Sequence, residues 1–137
     1  MVRASILSAV VIAASLGCRL AEPTEPCPPR PLLAAVDVEI REAGTNLPLA
    51  EWAQGQIRDG AFSDSLRAWR RGSGGVISRA GGFERAGTYD VQVSLLGYAT
   101  WQQTGVVVPA TACGIVTASL IATLQPSSGA GPSNHGL

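Results

Sequence analysis

Hydrophobic and polar residues alternate along two segments of the chain, residues 34–41 and 88–95. The apolar positions are Ala34, Val36, Val38 and Ile40 in the first segment and Tyr89, Val91, Val93 and Leu95 in the second. Alternation with a period of two places one face of a strand on a core and the other face in water. Both segments are therefore predicted to be strands of an antiparallel sheet. Less regular strands are predicted at 52–58, 61–69, 98–108 and 114–124.

Turn-forming residues separate these predicted strands. Asp59-Gly60 lies between two of them and predicts a tight hairpin, because glycine tolerates the positive φ that such turns require. The other turn signals are at 43–46, 72–75, 81–82, Gly97 and Pro109. Six or seven short strands at these spacings predict an all-β domain with the architecture of a β-sandwich. No helix is expected after the N-terminal segment.

The N-terminal segment predicts a signal peptide over residues 1–17. A basic start at Arg3 precedes an uncharged run, residues 4–17, that is too short to span a bilayer comfortably. The run ends in Ser15-Leu16-Gly17-Cys18, which resembles the bacterial lipobox, although Ser15 stands where the lipobox usually has leucine. The resemblance implies that Cys18 is lipidated and becomes the mature N-terminus. The alternative is ordinary signal cleavage nearby, which leaves Cys18 as an unused thiol.

The same resemblance suggests a location. In Gram-negative lipoproteins an Asp after the lipidated cysteine commonly signals retention in the inner membrane, and this chain has Arg19 there. We therefore expect a lipid-anchored protein of the cell envelope, at the outer membrane. The acyl chains alone would supply the membrane affinity, through their buried CH₂ groups.

The rest of the chain divides into a tether, one domain and a tail. Five of the nine prolines fall within residues 19–31, which predicts a semi-rigid spacer, and the Pro-rich tether is placed at 18–32. The patterned residues 33–125 have a common size for one small domain. Residues 126–137 are rich in Gly, Ser and Pro and are predicted to be a disordered tail.

Composition narrows the classes of function. Ten Arg balance ten Asp plus Glu and there is no Lys, so a nucleic-acid partner is not expected. The single histidine, His135, is the third residue from the C-terminal end of the predicted tail, too loosely held for a Ser-His-Asp or Cys-His device. No glycine-rich phosphate-binding motif occurs. We therefore expect no enzyme, no catalytic residue and no cofactor.

Four carboxylates could still form a site. Asp59 and Asp64 flank the predicted hairpin, and with Glu51 or Glu84 they could bind Ca²⁺ or act as an acid/base pair. Their spacing matches no Ca²⁺-binding loop. Charges of this kind are usually solvated at turns and rims, so no metal site is predicted.

The three cysteines, Cys18, Cys27 and Cys113, are interpreted as one anchor and one bridge. A chain that leaves the cytosol meets oxidising conditions, where thiols tend to pair. If Cys18 is acylated, only Cys27 and Cys113 remain, and a disulfide between them would join the tether to the start of the last strand. The competing interpretations are a reactive thiol or a metal site, and a metal needs more ligands than these.

Arginine and tryptophan residues are the candidates for ligand contact, namely Trp69, Trp101, Arg70 and Arg71. The arginines are densest at 67–85, where together with Trp69 they could contact an acidic polymer or an anionic saccharide. Exposed Trp could stack on sugars, with Trp52 and Tyr98 as further candidates. The alternative is that the arginines cover a solvated sheet face and that the aromatic residues pack at the core or sheet edge.

Residues 87–98, GTYDVQVSLLGY, resemble the G-x-Y-x-V-x-V-x-x-x-G-Y signature of carboxypeptidase regulatory-like domains. The opening strand at 36–40 and the following GTNLPL at 44–49 are similar to the start of that family, and the resemblance extends over residues 33–125. It implies a seven-stranded antiparallel sandwich of the prealbumin-like (transthyretin-like) type. The Arg-rich residues 67–85 depart from the family pattern, which suggests an insertion or a longer hairpin after Phe62.

These features together predict a non-enzymatic cell-envelope lipoprotein with a single β-sandwich accessory or interaction module. Its expected partners are the membrane, through the lipid anchor, and an envelope protein or a polysaccharide. The alternative function is a carbohydrate-binding surface module that uses exposed Trp and Arg. Catalysis by carboxylates alone is a third possibility without support in the sequence.

Overall fold

The structure is a computed structural model that describes residues 25–128. The predicted signal peptide at 1–17, the lipidation site Cys18, and most of the predicted tail lie outside the described residues. Within them the chain forms strands and no helix, as predicted, and therefore no helix that could cross a membrane. The strands are β1 (Val36–Glu42), β2 (Gln54–Asp59), β3 (Phe62–Ser65), β4 (Arg67–Ala68), β5 (Arg71–Gly72), β6 (Gly75–Val76), β7 (Ser78–Gly81), β8 (Gly87–Ser94), β9 (Trp101–Val108), β10 (Ala110–Thr111), β11 (Gly114–Ile115) and β12 (Ala118–Leu124).

Most strands belong to one of two four-stranded sheets. The first sheet has the order β12-β1-β7-β4, and the second has the order β3-β2-β8-β9. Two short ribbons, β5-β6 and β10-β11, complete the pairing. The fold is therefore all-β and sandwich-like.

One strand pair departs from the antiparallel prediction. β1 and β12 run parallel, in register from Val36 opposite Ala118 to Glu42 opposite Leu124. A parallel pair needs a long connection, and nearly the whole domain lies between these two strands. The local alternation of 34–41 predicted a strand correctly but carried no information on this partner. Its prediction that the second face lies in water is wrong, since Ala35 and Asp37 are buried.

Apolar side chains from both sheets meet in one core. In β8, Tyr89, Val91 and Val93 are buried while the residues between them are exposed, which confirms the predicted alternation. From the first sheet, Val36 and Ile40 are completely buried in the same cluster. Removing apolar area from water on this scale is the main stabilising contribution to such a fold.

The predicted hairpin at Asp59-Gly60 is confirmed. Asp59 pairs with Phe62 across the turn, and Gly60 has a φ of 57°. The following predicted strand, 61–69, is interrupted, because the chain leaves the second sheet after β3 and enters the first sheet as β4. Leu66 lies at this crossing, with its side chain 4% exposed.

A long hairpin follows the crossing. β4 pairs with β7, and β5 pairs with β6, antiparallel around the turn at 73–74. This arrangement agrees with the longer hairpin that the departure at 67–85 suggested. It places Trp69, Arg70 and Arg71 at the open edge of the first sheet.

Candidate functional site

The tether is covalently attached to the domain. Cys27 and Cys113 form the predicted disulfide, with an S–S distance of 2.13 Å and a Cα–Cα distance of 5.4 Å. Cys113 lies in the turn of the β10-β11 ribbon. The bridge therefore fixes the point at which the chain enters the domain.

An ion pair reinforces this attachment. Arg30 Nη1 and Nη2 donate to the two carboxylate oxygens of Glu84 at 2.9 and 2.5 Å, and Arg30 Nε donates to the Cys113 carbonyl. The backbone N–H of Leu33 donates to Glu84 Oε1 at 2.6 Å. The hydrogen bonds from Arg30 and then from Leu33 lower the pKa of Glu84 to about 2. We refer to the Cys27–Cys113 disulfide and the Arg30–Glu84 pair together as the clasp.

A glycine makes room for the clasp. A Cβ on Gly114 would collide with the guanidinium of Arg30, and the φ of Gly114 is 145°. Both observations favour glycine at this position. The last residues of the predicted tether are thus bound to the domain surface.

The four predicted ligand residues do not converge. Trp69 follows β4 at one edge of the first sheet, whereas Trp101 begins β9 at the edge of the second sheet, on the other side of the sandwich. Trp69 is 40% exposed, but Trp101 is partly buried against the core, opposite Val93. The two indoles therefore cannot form one binding surface.

Arg70 has a structural role in the first sheet. Its Nε donates to Asp37 Oδ2 at 2.9 Å and to Ser78 Oγ at 3.1 Å. Asp37 is only 8% exposed, and a buried carboxylate requires such a partner. Arg71 is exposed on the β5-β6 ribbon.

Trp69 lines an open groove of about 580 Å³ at the edge of the sandwich. The ring centres of Trp69 and Phe83 lie 5.0 Å apart. The guanidinium of Arg85 lies 4.1 Å from the centre of the Phe62 ring. We call this surface, lined also by Leu32 and Arg67, the aromatic groove. Its apolar walls and cation–π contacts suit a partly apolar ligand.

The arginines of the aromatic groove are paired with carboxylates. Arg85 Nη1 lies 2.7 Å from Asp59 Oδ2, and Arg67 Nη2 lies 3.8 Å from Asp64 Oδ1. Hydrogen bonds with Asp59 and then Tyr89 raise the pKa of Arg85 above its usual value. This pairing reduces the attraction that the groove exerts on an anionic polymer.

The four candidate carboxylates each have a separate local contact. Asp59 pairs with Arg85, Glu84 belongs to the clasp, and Asp64 Oδ2 accepts the N–H of Gly82 at 3.0 Å. Glu51 Oε2 accepts the N–H of Val76 at 3.0 Å. Among residues 25–128 no three His, Cys, Asp or Glu side chains lie close enough together to hold a metal.

Sequence reasoning missed the solvent-facing side of the second sheet. A row of polar side chains crosses four strands there, from Ser65 through Gln56 and Gln92 to Gln102. Gln54 opposite Ser94 extends this surface toward one end, and Arg58 opposite Asp90 toward the other. We call the whole surface, with Thr104, the amide face. The available signal was the polar residues at alternate positions, Gln54 and Gln56 in one strand and Asp90, Gln92 and Ser94 in another.

Trp52 lies at one end of the amide face. Its side chain is 66% exposed, and with Gln54, Ser94, Leu95 and Leu96 it lines a hollow of about 420 Å³. Leu96 is 98% exposed. This end therefore combines an accessible indole with polar side chains.

No family model and no curated protein matches this chain. Its function is therefore inferred from the clasp, the aromatic groove and the amide face. The clasp holds residues 27–30 against the domain, whereas the aromatic groove and the amide face are open to solvent.

Proposed function

We propose that this chain is a non-enzymatic cell-envelope lipoprotein whose single domain is an accessory or interaction module. The clasp is the observation that carries the proposal. A Cys27–Cys113 disulfide is typical of a compartment outside the cytosol, to which a signal at 1–17 would direct the chain. It also ties the domain to the segment that follows the proposed anchor, Cys18.

The clasp limits how far the domain can move from the membrane. Eight residues, 19–26, separate Cys18 from Cys27. A chain of eight residues reaches at most about 29 Å when fully extended, which sets the upper limit of this distance. The end of the domain that carries the clasp is therefore the end nearest to the bilayer in this proposal.

For the fold we propose the seven-stranded prealbumin-like sandwich of carboxypeptidase regulatory-like domains. In support, the twelve strands group into seven chain segments when strands separated by one or two residues are counted together unless they pair with each other in a hairpin. The segments are β1, β2, β3-β4-β5, β6-β7, β8, β9-β10 and β11-β12. The signature segment 87–98 forms β8 with Tyr89 in the core, and Gly97 has a φ of 88°.

The separate contacts of the carboxylates support a non-catalytic role. A carboxylate pair that works as acid and base needs two groups at one cleft with different environments. Here Asp59 and Glu84 are held by different arginines, Arg85 and Arg30.

Lipidation is tested by labelling cells that express the full chain with a palmitate analogue. We expect label on the wild type and none on Cys18→Ala, with the label in the outer-membrane fraction of a density gradient. Arg19→Asp should keep the label and move the protein to the inner-membrane fraction. An unlabelled wild type would overturn the anchor.

A further inference from the structure

We propose that the amide face binds an extended, uncharged polysaccharide chain, with Trp52 stacking on a sugar ring at one end. This inference rests on the proposed interaction function and names its ligand class and surface. The predicted set Trp69, Trp101, Arg70 and Arg71 is not part of this surface.

The amide face contains three neighbouring hollows, and we call this row of hollows the trough. One hollow is lined by Arg58, Asp90 and Gln102, and it shares Gln56 and Gln92 with the next. That second hollow shares Gln54 and Ser94 with the hollow beside Trp52. Their volumes are about 180, 290 and 420 Å³. The shared lining residues place the three hollows in one line along β2 and β8, an arrangement suited to a linear ligand.

The chemistry of the trough matches sugar hydroxyl groups. Each glutamine amide offers two N–H donors and an acceptor oxygen, and a hydroxyl group both donates and accepts. Gln56, Gln92 and Gln102 lie side by side in one cross-strand row. Neighbouring strands are about 4.8 Å apart, so the row presents donors and acceptors at short, regular intervals.

The charge of the trough favours an uncharged ligand. Its only charged residues are Arg58 and Asp90, which lie directly opposite each other on β2 and β8. Because one is positive and the other negative, the fields of these two neighbouring side chains largely cancel beyond the sheet surface. The residues that line the trough therefore carry no net positive charge that would attract an anionic polymer.

The indole provides the apolar contact that sugars require. A flat ring with 66% exposure can cover the C–H face of a pyranose, and Trp combines this area with a polar N–H. From Arg58 to Gln54 the trough is about 13 Å long, and Trp52 extends it further. Several sugar units would therefore be in contact at once.

The trough also points away from the proposed anchor. Gln54 pairs with Ser94 at the last residue of β8, whereas Glu84 of the clasp lies before the first residue of that strand. At about 3.4 Å per residue, β8 separates the two by about 25 Å. The Trp52 end is thus on the side of the domain away from the clasp.

The test is depletion binding of the full-length chain, purified in detergent, to insoluble amylose, β-1,3-glucan, β-1,4-glucan and mannan. We expect the wild type to bind at least one of them, with an affinity that added salt leaves unchanged. Trp52→Ala and the double variant Gln56→Ala/Gln92→Ala should each lose about tenfold or more in affinity, because both remove central contacts. Trp69→Ala, a matched substitution in the aromatic groove, should bind like the wild type.

Several results would overturn the inference. One is that the wild type binds none of the four uncharged polymers, and another is that both amide-face variants keep the wild-type affinity. A third is that Trp69→Ala loses as much affinity as Trp52→Ala. Polygalacturonate is included as an anionic fifth polymer, and binding to it alone, abolished by salt, would overturn the inference in favour of an anionic ligand. Capture of a protein that protects Trp52 from oxidation would overturn the inference and assign the face to a protein partner. Palmitate labelling of the same samples reports on the anchor separately.

Discussion

At the scale of single residues, two arginines bind carboxylates of distant segments, and their residue type alone does not reveal these partners. Arg70 was a candidate for ligand contact, yet it neutralises Asp37, which is 8% exposed. Arg30 was simply a residue of the tether, yet it binds Glu84 and the Cys113 carbonyl. An arginine in a polar segment is therefore assigned a role only when its partner is known.

The residue-scale prediction concerns Glu84 and pH. Its pKa in the folded state is about 2, below the ordinary value of 4.5, so the carboxylate stabilises the fold above about pH 4.5. That contribution is lost as the pH falls from about 4.5 through about 2. Glu84→Gln should therefore lower the melting temperature at pH 7 but have little effect near pH 2.

Thermal unfolding of the full chain at both pH values checks this prediction. Glu25→Gln, which removes an exposed carboxylate of the same segment, serves as the control and should unfold like the wild type at pH 7. An equal loss for Glu84→Gln at pH 7 and pH 2 would contradict the role of the charged clasp.

At the scale of secondary structure, the crossing of the chain from one sheet to the other shapes the aromatic groove. The strand predicted at 61–69 divides at Leu66, so that β3 belongs to one sheet and β4 to the other. Leu66 packs against Gly55, whose missing side chain leaves the space that Leu66 fills. The open edge beside this crossing is where the aromatic groove forms.

The element-scale prediction is that Leu66→Ala destabilises the fold. Truncating a leucine that is 4% exposed should reduce the free energy of unfolding by about 2–5 kcal/mol. Leu96→Ala, at a residue that is 98% exposed, should change it by about 0.5 kcal/mol or less. Urea unfolding with the disulfide intact measures both values. Equal effects would mean that Leu66 is not part of the core.

At the scale of the whole molecule, the disulfide is the longest covalent constraint within the described residues. It joins positions separated by 86 residues and closes almost the entire domain into one loop. In the chain-entropy account, such a bridge stabilises mainly by restricting the unfolded chain. A small domain depends on such contributions, because net stabilities of folded proteins are typically only about 5–15 kcal/mol.

The molecule-scale prediction is that Cys27→Ser/Cys113→Ser lowers the free energy of unfolding by about 4–5 kcal/mol. Urea unfolding compares this double variant with the oxidised wild type, and the reduced wild type is the control that should resemble the variant. Non-reducing mass measurement verifies the bridge in the starting protein. A change below about 1 kcal/mol would show that the bridge contributes little to stability.

Local features of the sequence were sufficient for part of the fold. The alternation in β8, the hairpin at Asp59-Gly60 and the pairing of Cys27 with Cys113 were all predicted and are confirmed. Period-two alternation and turn chemistry act over a few neighbouring residues, so they can be read without knowing the partner strands. The pairing followed from the small number of cysteines.

Only the tertiary structure decided which strands and side chains meet. The parallel partnership of β1 with β12, the separation of Trp69 from Trp101, and the alignment of Gln56 with Gln92 all depend on pairing between distant segments. Register and sheet order arise from the packing of the whole core, because each strand offers the same backbone hydrogen bonds to any neighbour. The sequence by itself therefore determined that the chain forms strands, and it determined the buried face of β8. The long-range packing determined where the strand predicted at 61–69 divides and which surfaces are available for binding.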